Sequence, residues 1–272
     1  MFSNLKNQTK AISYTAIVFI LAVCSATVPN TNSLVYMLTP AAAVLIMLLL
    51  VTKDGHSRSG WAALGLGKSG HKWWWLICLI LPSAIVALSY GLALGIGVLV
   101  IDVPPTYEGY SWTSFPIVVA LQFVGAVFTS SLGEEIGWRG YLLPLLVDSL
   151  GERNALVISG LIHGLWHIPI IMLSPIYHHD QNPMLACLFI IISCFFLGPV
   201  IGFIRLRTSS VWTSSAFHSA HNVTWAVLRG ITVPTSSLAL YIAGDNSIIV
   251  ICCYMLLTIW IMKRIRNHSC VR

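Results

Sequence analysis

Residues 184–204, MLACLFIIISCFFLGPVIGFI, contain no charged side chain and are followed at once by Arg205 and Arg207. A run of about 20 apolar residues is what a helix needs to cross a hydrocarbon core of about 30 Å. Only as a helix can one segment cross with its own backbone groups satisfied. Seven further stretches read the same way: 11–27, 34–52, 73–101, 115–133, 155–173, 211–228 and 247–262. The expected fold is all-α, a polytopic membrane helix bundle of eight spans with a polar cavity among them. One integral membrane domain covers 1–272, with residues 115–228 as its catalytic core.

Composition supports the bilayer. Of 272 residues, 57% are hydrophobic and only 9% charged, against about 25% charged in a soluble domain, and the mean hydropathy is +0.82. The net charge of +6 implies no nucleic acid, because basic loops on one side of a membrane give the same excess. With both termini placed inside, fourteen of the fifteen Lys and Arg residues fall in the cytoplasm and only Arg229 falls outside. The expected location is therefore the cell membrane, multi-pass, with cytoplasmic termini. The first span also has the look of a secretory signal, with Cys24-Ser25-Ala26 at its end; its removal would leave seven spans. The loop 53–72, with Trp61 and the run Leu64-Gly65-Leu66-Gly67, reads as an interfacial segment. The seven cysteines have no C-x-x-C spacing and read as small apolar fillers.

Polar residues inside spans are costly and mark function. They fall in three places: Gly133-Glu134-Glu135-Ile136-Gly137-Trp138-Arg139, His163-Gly164-Leu165-Trp166-His167, and His218-Ser219-Ala220-His221-Asn222. His163 and His167 stack on one helical face, as do His218 and Asn222. From the helical rise, His163 and His218 lie at about equal depth, and His167 and Asn222 about one turn further. Glu134 sits awkwardly at the end of its span, so that boundary is late or residues 134–147 fold back. A carboxylate, imidazoles and an amide in a partly dry pocket suit hydrolysis by an activated water. H-E-x-x-H and G-x-S-x-G are absent, no paired aspartates lie within spans, and Asp245 reads as an external-loop residue.

The series Glu134-Glu135-x-x-x-Arg139, then His167, then His218-x-x-x-Asn222 resembles the CPBP family, the CAAX proteases and bacteriocin-processing enzymes also called the Abi family. That family's pattern is E-E-x-x-x-R, F-x-x-x-H and H-x-x-x-N on successive membrane helices, and residues 134–222 carry the likeness. It implies an intramembrane endopeptidase in which Glu134 and His167 activate the water and His218 and Asn222 hold the oxyanion. Glu135 and Arg139 are then supporting residues, joined by His163, which stands where the family has Phe. Zinc is a possible cofactor, with Glu134, His167 and His218 as ligands, because the family has been described both as metalloproteases and as glutamate-dependent proteases. The partners implied are a peptide or membrane-protein substrate and the lipid bilayer.

The rival reading is a non-catalytic membrane factor, such as a bacteriocin-immunity or scaffold protein, or a transporter using the cavity as a proton relay. His221, one residue off the His218–Asn222 face, reads as structural, Trp138 and Trp166 as packing, and His178, His179 and Asp180 as a solvated loop. Nothing in the chain specifies a prenyl groove.

Overall fold

The computed structural model describes residues 5–29, 31–175, 177 and 181–265. Helix α1 (Asn7–Thr27) buries Ala11, Tyr14, Val18, Ala22 and Ala26, a stripe at helical spacing. The second span is broken into α2 (Ser33–Met37) and α3 (Thr39–Ile46), which runs on through a π turn, Met47–Val51. A short α4 (Arg58–Ala62) follows, and its loop packs inward. Leu64 is buried, Arg205 Nη2 donates to the Ala63 carbonyl at 3.2 Å, and Trp212 Nε1 donates to the Leu66 carbonyl at 2.8 Å. Gly65 is required there: its φ is +81°, and a Cβ would lie 2.6 Å from the Arg205 guanidinium.

Helix α5 (Lys72–Gly95) is shorter than the 73–101 span expected. Gly97 takes a φ of +78°, and the β-branched residues beyond it form a strand instead. This strand, β1 (Leu99–Ile101), pairs antiparallel with β2 (Thr232–Pro234), tying the ends of α5 and α12 together. The fourth span also ends early, α6 (Phe115–Phe128) stopping at Thr129, whose φ of −127° and ψ of −92° are not helical. The helix resumes as α7 (Ser130–Glu135), passes through a π segment, Ile136–Leu142, and continues as α8 (Leu143–Leu150). Glu134 therefore lies on a separate helical piece beyond the end of α6.

Helices α9 (Glu152–Trp166) and α10 (Ile168–Leu173) make the fifth span, and α11 (Pro183–Thr208) the sixth. Asn182 caps α11 by accepting from the Met184 and Leu185 amides. Then come α12 (Val211–Gly230), the short α13 (Ala239–Ile242) and α14 (Ile248–Arg264). Among the described residues six helical stretches are long and apolar enough to cross a bilayer, ending with Pro183–Thr208. The expected eight included α12 and α14. Helix α14 has 17 residues, and α12 is rich in hydroxyl, imidazole and amide side chains. It is surrounded by α5, α6, α7 and α11. His178, His179, Asp180, Arg266, Cys270 and Arg272, considered above from the sequence, lie outside the described residues.

Helices α9 and α11 approach closely, because glycines meet there. A Cβ on Gly160 would lie 2.6 Å from the Cys194 carbonyl, and one on Gly198 would lie 2.4 Å from the Gly160 Cα. Small residues let membrane helices gain dispersion contacts along their backbones. Gly160→Val should therefore cost about 1–3 kcal/mol, read as a lower melting temperature in detergent. Gly91→Val, where a Cβ meets nothing within 4 Å, should leave it near that of wild type.

Candidate active site

The Glu-Glu pair is carried on α7, immediately before the π segment. Gly137 lets that segment press on α1 and α3: a Cβ there would lie 2.3 Å from the Tyr14 hydroxyl and 2.4 Å from Pro40. Glu134 and Glu135 are 1% and 0% exposed. Glu135 is held by two partners, Arg139 Nη1 at 2.9 Å and His218 Nδ1 at 2.9 Å. Glu134 turns the other way, and its Oε2 lies 2.9 Å from His163 Nε2. Arg139 Nη1 also approaches His163 Nδ1, at 3.4 Å. One buried arginine thus touches a residue from α7 and one from α9.

The equal depths expected from the helical rise bring the histidines together. The His163 ring centroid is 6.3 Å from that of His218 and 5.1 Å from that of His167. His167 Nδ1 donates to the His163 carbonyl at 3.1 Å. A carbonyl only accepts, so Nδ1 bears the proton, and in the neutral ring Nε2 keeps its lone pair. His167 stands at the break between α9 and α10, where Pro169 cannot continue the ladder. Tyr36 occupies that break. Its hydroxyl donates to the Trp166 carbonyl, is hydrogen-bonded by the Ile170 backbone, and its ring stacks on Trp166 at 4.5 Å.

These groups open onto a cavity of about 610 Å³, lined among others by Glu134, His163, His167, His218 and Asn222. Its size is that of ligand pockets, roughly 300–1,000 Å³. Glu135 and Arg139 lie behind it. His221 also reaches the cavity wall, but its Nδ1 is bonded to the Tyr254 hydroxyl at 2.9 Å. Trp138 and Trp166, both fully buried, pack edge to face at 5.6 Å.

Three residues give no signal in the sequence. Tyr36 lies in an apolar span outside any motif. Cys194, grouped above with the apolar fillers, lines the cavity. Asp245 is indeed in a loop but is buried, accepts from the Tyr177 hydroxyl at 2.9 Å, and lines both this cavity and an adjoining one of about 290 Å³. The expected zinc set of Glu134, His167 and His218 is not the one whose donor atoms converge. Among the described residues, the three donors within 4.8 Å of one another belong to His163, His167 and Cys194.

Arg139 and Glu135 provide a direct check on the packing of charge. Arg139→Leu leaves Glu135 buried with one partner fewer and should cost about 3–5 kcal/mol. Arg207→Leu removes a surface pair with Glu152 at 3.0 Å, the arginine being 42% exposed, and should cost less than about 1 kcal/mol. Thermal unfolding in detergent compares the two.

Residues 116–224 match the family model for Type II CAAX prenyl endopeptidase Rce1-like proteins. The chain is also 29% identical over 105 residues to CAAX prenyl protease 2 of Methanococcus maripaludis. That alignment covers 38% of this chain and 36% of the relative, so the matched stretch spans about a third of the relative's length. The matched segment contains every residue of the three motifs, and over it the resemblance to the CAAX protease family, CPBP, holds.

Proposed function

We propose that this protein is an intramembrane endopeptidase of the CAAX-protease type, hydrolysing peptide bonds with a water activated by Glu134 and His167. The observation that carries this reading is a carboxylate at 1% exposure on the wall of a cavity ringed by imidazoles. In the proposed step the water oxygen bonds to the peptide carbon, and its proton passes to Glu134 or to the lone pair on His167 Nε2. The carbonyl oxygen becomes an oxyanion, held by His218 and Asn222. As the C–N bond breaks, the captured proton goes to the departing amine. With Nδ1 of His218 donating to Glu135, an oxyanion donor at Nε2 requires the imidazolium. In that form the buried charges of Glu134, Glu135, Arg139 and His218 cancel. His163, bonded to Glu134, orients the carboxylate.

Residues 115–228 form the proposed catalytic core, in a cell-membrane protein with both termini in the cytoplasm. The relative's name makes prenylated C-terminal peptides the first substrate class to try, and other membrane-embedded peptides the second. Glu134→Gln and His167→Ala should each lower cleavage by about 10²–10⁴-fold with expression intact, and Asn222→Ala by about 10²–10³-fold. Comparing the peptides of membranes expressing wild type or Glu134→Gln reads this without prior choice of substrate. Biological activity that survives both Glu134→Gln and His167→Ala would favour a non-catalytic membrane factor instead.

A further inference from the structure

One wall of the cavity carries a donor set that joins two histidines of the proposed site to a cysteine that hydrolysis does not use. A ring nitrogen from each of His163 and His167 and the sulfur of Cys194 lie within 4.8 Å of one another. His163 lies on α9 and His167 one turn on, at its C-terminal cap, and Cys194 comes from α11, which the glycines at 160, 164 and 198 bring against α9. Tetrahedral zinc, with Zn–N of about 2.0 Å and Zn–S of about 2.3 Å, places two nitrogens and a sulfur about 3.3–3.5 Å apart. Closing the difference takes one ring nitrogen of His163 from its present partner, Glu134 at 2.9 Å or Arg139 at 3.4 Å. Glu134 lies beside the set through its 2.9 Å contact with His163, so a thiolate and a carboxylate together offset the cation's charge where water does not.

We infer that His163, His167 and Cys194 form a site for a thiophilic divalent cation, Zn²⁺ foremost, on the cavity wall. Imidazole and thiolate donors select zinc over magnesium or calcium. Binding takes the proton from the Cys194 thiol and releases it to solvent. It also occupies His167, so the ion acts as a reversible inhibitor of hydrolysis. The inhibition rests on the proposed peptidase reading; the binding does not.

Co²⁺, which takes zinc's place and absorbs light, tests both. Metal-free full-length protein in detergent, titrated with Co²⁺, should develop a thiolate-to-cobalt charge-transfer band that saturates at one equivalent and is abolished by Zn²⁺. Cys194→Ser, nearly isosteric, should lose the band, and His163→Phe should weaken binding by about tenfold or more. Circular dichroism identifies either variant if it misfolds, and Cys194→Ala then serves as the replacement. A band absent from wild type, or one that persists in Cys194→Ser, overturns the site. In a cleavage assay, Cys194→Ser should keep basal turnover and lose sensitivity to Zn²⁺, and equal inhibition of both proteins overturns the regulatory role. If no protein cleaves peptide while the band behaves as expected, the peptidase reading fails and the metal site stands.

Discussion

Two adjacent carboxylates, on Glu134 and Glu135, lie inside an apolar bundle, and burial of that much charge is tolerable only where partners meet it. Glu135 is met by Arg139 from the next turn and by His218 from α12. Glu134 is met by His163 from α9. Three otherwise distant segments are fixed to one another by these contacts. The groups facing the cavity follow from the groups behind it: Glu135 sets the ring of His218, and the His163 carbonyl sets the ring of His167.

The helix packing that delivers these contacts is made of small residues and irregular turns. Gly160, Gly164 and Gly198 bring α9 against α11. The π segment at Ile136–Leu142 admits Arg139 to the interior, in keeping with the use of such widened turns at functional sites. Tyr36 fills the break that leaves His167 at the end of α9. These irregularities lie beside the candidate-site side chains rather than at the outer surface, where Ile12, Ile80, Leu121 and Leu256 are exposed.

Much of this was legible in the residues. The apolar runs revealed a polytopic helical bundle, because the bilayer demands about 20 such residues in a row. Helical spacing put His163 with His167 and His218 with Asn222, because positions four apart share a face. Hydropathy did not distinguish helix from strand at the end of α5, since Val98, Val100 and Ile101 suit either a membrane core or a sheet. It also ran past Thr129, where only the backbone angles mark the end of α6. Cys194, Tyr36 and Asp245 were silent, because contacts between residues on different helices or loops leave no local period. For His163 the sequence offers no such local clue. A histidine in a packing position differs from a site residue only in what it touches, and His163 touches Glu134.

The central claim is that Glu134 and His167 act on the same water. A double-mutant cycle on the rate of peptide cleavage tests this most directly, comparing Glu134→Gln, His167→Ala and the two combined. Residues that act as a unit are strongly non-additive, so the double variant should be about as slow as the slower single variant. Losses that multiply independently would contradict the account.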